Sequence, residues 1–265
     1  MEIIKEYAAR KKAEIKELLD TLPKRPCMKI IRVGDDPASV RYTNNKLKDA
    51  EECGVDCELI NLPETISEQE LLDVLATLNN GQAVDGYLVQ LPLPKHISEE
   101  KVTLAIDPKK DVDGFHPLSK TVAATPLGIY RYLKDMNYGF AGKNAVIIGR
   151  SNIVGKPMHK LLLDANMNVI MLHTKTTEED KRFYLEHADL IILAAGRRNI
   201  IDASYKVKES AIIVDVGINF NEAGKLCGDC ETQMPVTFQS PVPGGAGLLT
   251  RLAVILNLVD LVNAK

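Results

Sequence analysis

The sequence predicts two α/β domains in which parallel strands alternate with helices. Short apolar strands and amphipathic helical segments follow one another along most of the 265 residues. A strand–turn–helix pattern typical of nucleotide sites, residues 144–157, stands near the middle of the chain rather than at its start. A segment rich in Asp, Pro, Gly and Ser, residues 111–125, precedes it. We therefore expect the first half to form a separate domain that holds a second substrate.

The elements of the first half are predicted from apolar periodicity and from residues that begin or end helices. Gly54 is a suitable residue to follow a helix, and Ser67 with Glu70 forms a capping box. The predicted elements are a helix over 3–20, strand Cys27–Val33, a helix from Ser39 to Cys53, strand Cys57–Leu62, a helix after Ser67 and strand Gly86–Leu91. Their alternation indicates a three-layer unit with a parallel sheet.

The second half repeats this alternation. Thr125 is predicted to be an N-cap followed by Pro126 at the first helical position. The predicted elements are a helix to Met136, strand 144–148, a helix from Gly155, strand Val169–Leu172, a helix near 178–187, strands Leu190–Ala194 and Ile212–Val216, and a helix from Leu248 to Val262.

Composition narrows the function classes. A net charge of −3 gives no general attraction for nucleic acid or for an anionic membrane. We expect no membrane span, no signal peptide and a cytoplasmic location. The five cysteines are odd in number, which disfavours a disulfide framework. Cys227 and Cys230 have redox-motif spacing, but we interpret them as plain thiols beside a turn, and we predict no metal site.

The turn after strand 144–148 departs from the dinucleotide fingerprint because Ser151 replaces its middle glycine. A serine hydroxyl can still contact phosphate, and Gly155 allows close packing of helix on strand. Arg150 lies in the turn, where a guanidinium suits an additional 2′-phosphate and favours NADP over NAD. Thr174 follows the next strand, where an NAD enzyme often has an acidic residue. An ordinary polar turn is the alternative.

Two polar features of the first half have both a functional and a structural interpretation. Tyr42 and Lys46 lie one helical turn apart, as a catalytic pair or as a half-buried Tyr beside a Lys with an exposed ammonium. Gln90 ends a buried strand, where parallel α/β sheets bind ligands, although a satisfied strand end is equally consistent.

Two loops are also candidates. The acidic turn around Asp111 and Asp113 fails as a calcium loop, and it either binds a ligand or hydrogen-bonds to itself. The glycine-rich segment 243–247 brings bare backbone close to a neighbour.

Taken together, these residues resemble the bifunctional methylenetetrahydrofolate dehydrogenase/methenyltetrahydrofolate cyclohydrolase family. The matching segments, in the family's order, are 33–39, 42–46, 89–94, 110–114, Thr125-Pro126, 149–157, 215–219 and 241–247. The resemblance implies a folate-binding catalytic domain over 1–120, completed by helix 248–265. It also implies a Rossmann-like NADP-binding domain over 121–247, a cleft between the two domains, and a homodimer.

The resemblance also implies the site residues. Lys46 matches the family's essential lysine, Gln90 the glutamine that tunes it, and Tyr42 the tyrosine over the folate. Asp113 matches the aspartate that hydrogen-bonds the pterin. The remaining substrate-binding residues are Val89, Leu91, Pro243, Gly244, Gly245, Ala246 and Gly247, and the cofactor-binding residues are Gly149, Arg150, Ser151, Thr174 and Ile218.

The chain departs from the family pattern in three places. Gly245 to Thr250 reads Gly-Ala-Gly-Leu-Leu-Thr where the family usually has Gly-Val-Gly-Pro-Met-Thr, and Ala123-Ala124 replaces Pro-Cys. The segment between Gly114 and Thr125 is short. A monofunctional dehydrogenase and a non-catalytic folate- or nucleotide-binding protein are the rival interpretations; the presence of both Lys46 and Gln90 argues against the first.

Overall fold

The computed structural model describes residues 1–231 and 233–264, which divide into two compact units. The first unit comprises Ala9–Ala124 and Arg251–Lys265, and the second comprises Met1–Ala8 and Thr125–Thr250. Each unit is built around its own parallel sheet with helices, as the sequence predicts.

The helices are α1 (Ile4–Leu19), α2 (Pro37–Glu52), α3 (Glu68–Asn80), α4 (Glu99–Ala105), α5 (Ala124–Asp135), α6 (Gly155–Asp164), α7 (Glu178–Glu186) and α8 (Ala246–Asn263). The strands are β1 (Cys27–Val33), β2 (Asp56–Leu62), β3 (Gly86–Val89), β4 (Asn144–Ile148), β5 (Asn168–Leu172), β6 (Leu190–Leu193), β7 (Ile212–Asp215), β8 (Asn219–Phe220), β9 (Leu226–Cys227) and β10 (Phe238–Gln239).

In the first unit, β1 lies between β2 and β3, and both pairings are parallel. Ile31 of β1 lies opposite Ile60 and Val89, so the carboxyl ends of the three strands reach the same edge. Every residue of β3 is buried, which explains its continuous apolar run. The core on one side of the sheet includes Leu71 and Leu75 of α3.

In the second unit, the five-stranded sheet has the order β10-β7-β6-β4-β5. The chain passes from β4 to β5 on one side and then returns to β6 on the other side of β4. This reversal is the topological switch point at which open α/β sheets bind ligands beyond the strand carboxyl ends. The crevice for a nucleotide is therefore expected between the loops that follow β4 and β6.

Helix boundaries differ from the sequence prediction where side chains from elsewhere intervene. Helix α2 begins at Pro37 rather than Ser39, because the Asp36 carboxylate caps it by accepting from the Ser39 N–H at 2.8 Å. Helix α5 begins at Ala124, so the predicted N-cap Thr125 lies inside the first turn. The Thr125 hydroxyl instead hydrogen-bonds the hydroxyl of Thr250 at 2.9 Å.

Helix α4 is not among the elements predicted from the sequence. This helix is only seven residues long, and Ser98 caps it by accepting from the Lys101 N–H. The capping serine followed by Glu99 and Glu100 was the available signal. The predicted capping box of Ser67 and Glu70 is confirmed.

Helix α8 begins at Ala246, two residues before the predicted start, and supplies much of the buried apolar surface. It is 18 residues long and apolar enough to cross a membrane by length and composition. More than half of it is buried within the protein, however, as in the core helix of many folded domains.

Asn257 of α8 fixes the loop that follows β3 in the first unit. This buried side chain donates through Nδ2 to the carbonyl oxygens of Val112 and Val122, both at 2.8 Å. One amide thereby satisfies two backbone acceptors at either end of the short segment around Asp113. The buried polar residue in an apolar helix is explained by this bridge.

We expect Asn257→Ala to lower the free energy of unfolding by about 2 kcal/mol or more, because two carbonyl oxygens lose their donor. Asn263→Ala, at the exposed end of the same helix, is the matched control and should change stability by less than about 0.5 kcal/mol. Urea unfolding followed by circular dichroism measures both. Equal stability of the two variants would contradict this account.

Candidate functional site

Lys46 and Asp113 form a buried ion pair in the first unit. Lys46 projects from α2, and Asp113 lies in the loop after β3. The Lys46 Nζ lies 3.6 Å from Oδ1 of Asp113, and the two side chains are only 8% and 10% exposed. Burial raises the pKa of the Asp113 carboxyl, while the Lys46 ammonium opposes that rise. Two ionisable groups shielded from water are thus brought together.

The backbone N–H groups of this loop donate to Asp111 and not to Asp113. Asp111 accepts hydrogen bonds from the N–H groups of Gly114 at 2.9 Å and His116 at 2.8 Å. Burial raises the pKa of Asp111 as well, against these hydrogen bonds. The structural interpretation of the acidic turn holds for Asp111, which hydrogen-bonds to the turn itself, whereas Asp113 faces Lys46 and its binding of a ligand stays a prediction.

Arg32, which the sequence analysis missed, anchors the helix that carries Lys46. Its buried guanidinium donates to the Thr43 hydroxyl at 3.1 Å and to the Asp35 carboxylate at 2.9 Å. It also donates to Asn61 of the neighbouring strand. Thr43 lies one turn before Lys46, so Arg32 fixes the orientation of this part of α2. A lone arginine near the end of an apolar strand was the available signal.

Gln90 follows β3, and only one of the two polar atoms of its side-chain amide has a hydrogen-bond partner among the described residues. Its Nε2 donates to the carbonyl oxygen of Leu91 at 2.7 Å. Its Oε1 is buried and accepts no hydrogen bond from the residues that the structure describes. A buried acceptor without a donor is costly, and it suits a site whose donor comes from a ligand. Val89 is buried at the end of β3, and Leu91 is half-buried before the cis Leu91–Pro92 bond.

Tyr42 lies one turn before Lys46 and is half-buried. Burial raises the pKa of its phenol, and the nearby cations of Arg251 and Arg41 oppose the rise. Arg251 is held by Asp49, with Nε 2.6 Å from Oδ2, and Lys12 binds the same carboxylate at 3.0 Å. Tyr42, Lys46 and Asp49 all lie on α2, each about one helical turn from the next.

The second unit forms the predicted tight turn after β4. Gly149 has φ +126°, and a Cβ there would lie 2.2 Å from the carbonyl oxygen of Ala194. A Cβ at Gly155 would lie 2.2 Å from the carbonyl oxygen of Gly149. Neither position has room for a side chain. The backbone of the turn therefore lies close to the start of α6, as in a phosphate-binding turn.

Ser151 organises this turn. Its Oγ accepts from the N–H groups of Val154 at 3.1 Å and Gly155 at 3.4 Å. Its carbonyl oxygen accepts from the Lys156 N–H at 3.0 Å. In the described part of the chain, the Ser151 hydroxyl donates to no protein acceptor, so its hydrogen is available to a phosphate. The turn therefore fits a dinucleotide.

The other predicted cofactor residues follow strands of the same parallel sheet. Arg150 follows β4, Thr174 follows β5, and Ile218 follows β7; all three are exposed. Carboxyl ends of parallel strands lie at the same edge of a sheet, so these side chains belong to the same edge as the turn. No contact among the three is seen within residues 1–231 and 233–264.

The glycine-rich segment is shorter than predicted. Pro243 follows a cis bond and Gly244 has φ +98°, but Ala246 and Gly247 lie in the first turn of α8. A Cβ at Gly245 would lie 2.3 Å from the carbonyl oxygen of Pro241, which explains why the turn needs glycine there. The loop is therefore 241–245, and Ala246 is buried in the helix rather than exposed in a loop.

All five cysteines are free thiols, including Cys227 and Cys230. Burial raises the pKa of the Cys230 thiol to about 12, which makes it unreactive at neutral pH. No group of three or more His, Cys, Asp or Glu residues in the described ranges is placed to hold a metal ion.

Two protein-family models, one for each domain, match the chain. Residues 2–113 match the catalytic domain of tetrahydrofolate dehydrogenase/cyclohydrolase, and residues 123–265 match its NAD(P)-binding domain. The ion pair of Lys46 and Asp113 falls in the first match, and the turn at Gly149 falls in the second.

Relatives and solved structures agree with these matches. The bifunctional protein FolD of Lactococcus lactis subsp. lactis is 45% identical over 93% of this chain and 91% of its own length. The bifunctional FolD structure from Campylobacter jejuni is 40% identical, with a TM-score of 0.93 over 99% of this chain and 98% of that one. The Trypanosoma brucei enzyme complexed with NADP and inhibitor is 26% identical, with a TM-score of 0.92 over 98% of this chain and 96% of that one. The chain therefore belongs to the tetrahydrofolate dehydrogenase/cyclohydrolase family.

Proposed function

We propose that this protein oxidises 5,10-methylenetetrahydrofolate to 5,10-methenyltetrahydrofolate with NADP and then hydrolyses the product to 10-formyltetrahydrofolate. The observation that carries the proposal is the buried pair of Lys46 and Asp113, 3.6 Å apart, in a chain whose halves match both domains of the family. The pair supplies a proton-transfer group and a pterin acceptor, which the hydrolytic step and folate recognition require.

Recognition of the folate begins with residues of the first unit. The Asp113 carboxylate accepts no hydrogen bond from the backbone of its own turn, because Asp111 already accepts those N–H groups. It is therefore available to accept from the N–H donors of a pterin, in a buried setting where such bonds discriminate strongly. The half-buried ring of Tyr42 offers an aromatic surface to the folate. Val89 and Leu91 of the same unit complete the apolar part of the proposed substrate site.

The oxidative step asks mainly for orientation. The lone pairs of N5 and N10 of the folate stabilise the cation left when the one-carbon bridge loses a hydride, so no strong protein base is needed. NADP, when bound, supplies the hydride acceptor. The residues of the second unit bind and orient this cofactor: Gly149 and Gly155 admit it, Ser151 offers a hydroxyl donor, and Arg150 offers a cation.

The hydrolytic step needs an acid–base group, and Lys46 is that group in the proposal. Water adds to the methenyl carbon, and its oxygen becomes the formyl oxygen after losing both protons. The bond between this carbon and N5 breaks, N5 takes up one proton, and the other proton is released. Lys46 is buried beside Asp113, so its amine acts away from bulk solvent. The unsatisfied Oε1 of Gln90 is proposed to accept from the Lys46 ammonium or from the attacking water, which tunes the lysine.

We further propose that NADP is preferred over NAD. The exposed guanidinium of Arg150 lies directly after β4, beside the Ser151 hydroxyl, and Thr174 follows β5 where an acidic residue would disfavour a phosphate. Ile218 is proposed to contact the same cofactor. A homodimer in the cytoplasm is also proposed; the family resemblance supports both.

The proposed function is tested by mixing purified protein with methylenetetrahydrofolate and NADP. We expect NADPH to form and the methenyl product then to decay. Formation of NADPH with a stable methenyl product would indicate a monofunctional dehydrogenase. Binding of folate without either change would indicate a non-catalytic binding protein.

Lys46→Met should lower the rate of methenyltetrahydrofolate hydrolysis by at least about 100-fold, because methionine fills the space but moves no proton. Lys48→Met, two residues along α2 and largely exposed, is the matched control and should hydrolyse at a rate within about twofold of the unchanged protein. The decay of methenyl absorbance measures both. Normal hydrolysis by Lys46→Met would refute the assignment.

Arg150→Ala should weaken NADP binding about tenfold and leave NAD binding nearly unchanged, because only NADP carries the phosphate that a guanidinium binds. Arg182→Ala removes a similarly exposed guanidinium from α7 and serves as the control. KM values for the two cofactors, measured in the dehydrogenase assay, give the comparison. Equal effects on NAD and NADP, or a better rate of the unchanged protein with NAD, would overturn the assigned preference.

A further inference from the structure

Asp229, which lies between Cys227 and Cys230, has a fully buried carboxylate. Its Oδ2 accepts from the N–H groups of Ala195 at 2.7 Å and Gly196 at 3.0 Å. Its Oδ1 accepts from the N–H of Arg197 and from Nδ2 of Asn219, both at 2.8 Å. Four neutral donors from two distant segments thus converge on one side chain.

A second carboxylate holds Asp229 in place. Asp215, at the end of β7, accepts from the N–H groups of Gly217 at 2.8 Å, Asp229 at 3.0 Å and Cys230 at 2.7 Å. A Cβ at Gly217 would lie 2.1 Å from Oδ1 of Asp229. Backbone and carboxylates are therefore packed without room for adjustment, and the segment around Gly228 is bound to the ends of β6 and β7.

The segment that Asp229 holds lies against the phosphate-sized turn. A Cβ at Gly149 would lie 2.2 Å from the carbonyl oxygen of Ala194, so the residues after β6 touch the turn after β4. These two loops border the switch point of the sheet, where a ligand is expected. Asn219 adjoins Ile218, which follows β7 at the same edge.

Among the residues that the structure describes, the backbone hydrogen bonds of segment 195–197 all go to Asp229. Ala195, Gly196 and Arg197 are all exposed, so burial of apolar side chains does not hold them. Their three consecutive N–H groups instead point to one carboxylate. A buried charge is an expensive means of stabilising a fold, and apolar packing would serve stability alone at lower cost. The arrangement instead specifies the path of an exposed backbone.

We propose that Asp229 is a positioning residue for the dinucleotide: it holds segment 195–197 and the segment of Ile218 in the conformation that lines the cofactor crevice. This inference rests on the proposed function, because it requires that NADP binds at this edge of the sheet. Asp229 itself touches no ligand; it acts through the backbone it binds.

The test is Asp229→Asn in the full-length protein. The new amide has one acceptor oxygen, and its NH₂ group must face two N–H donors, so segment 195–197 is displaced. We expect the Kd and KM for NADP to rise about tenfold. The KM for methylenetetrahydrofolate and the NADP-independent hydrolysis of the methenyl substrate should stay within about twofold, because these depend on the first unit.

Asp189→Asn is the matched control. Asp189 also accepts a backbone N–H, that of Asn144 at 2.8 Å, and binds Lys208, but at the amino end of β4, opposite the crevice. Its loss should cost stability without changing the Kd for NADP. An equal rise of Kd in both variants would show a general loosening of the unit and would overturn the inference.

Titration of NADP into each protein separates the remaining outcomes. No binding to the unchanged protein would refute the proposed function itself. Binding to the unchanged protein and equally tight binding to a folded Asp229→Asn, with native near-ultraviolet circular dichroism of its tyrosines, would overturn only the role of Asp229. If Asp229→Asn does not fold, Asn219→Ala, which removes one of the four donors, decides: a several-fold rise of Kd supports the inference, and an unchanged Kd overturns it.

Discussion

In both units, a buried carboxylate accepts hydrogen bonds from the backbone N–H groups of the loop that carries the candidate site. Asp111 binds the N–H groups of Gly114 and His116 in the first unit. Asp215 and Asp229 bind six N–H groups and one side-chain amide in the second. Loops at strand ends have few apolar contacts, so these charge-assisted bonds decide where their backbone lies. The positions of the candidate side chains on these loops depend on the same hydrogen bonds.

These hydrogen bonds explain why two acidic residues of one turn, Asp111 and Asp113, have different partners. The oxygens of Asp111 accept from the turn, whereas Asp113, two residues later, pairs with Lys46 and is the residue proposed to accept from the folate. Burial raises the pKa of both carboxyls, so each is stabilised as an anion only by its own partners. Removing the Lys46 ammonium would leave the Asp113 charge buried without compensation, so the proposed acid–base group and the proposed folate acceptor are coupled electrostatically.

The sequence predicts the features that depend on neighbours along the chain. The capping box at Ser67, the tight turn at Gly149 and the alternation of strands and helices all follow from local spacing, and the structure confirms them. The sequence misplaced Thr125, whose hydroxyl pairs with Thr250 from 125 residues away. Arg32 and Asp229 were missed for the same reason: their partners lie in other segments, and single residues carry no period. The roles of Lys46, Gln90 and the cofactor residues remain predictions, supported by geometry.

The departure from the family pattern after Gly245 has a local physical meaning. The family usually has proline where this chain has Leu248, and proline has no N–H to donate. Here the Leu248 N–H donates to the carbonyl oxygen of Gly245 at 2.9 Å, and the Thr250 hydroxyl donates to the carbonyl oxygen of Ala246 at 2.9 Å. These bonds lie in the first turn of α8, which includes Ala246 and Gly247. Leu248 thus makes a backbone hydrogen bond that proline at this position could not make, whereas every residue proposed to transfer a proton or to position the cofactor is retained.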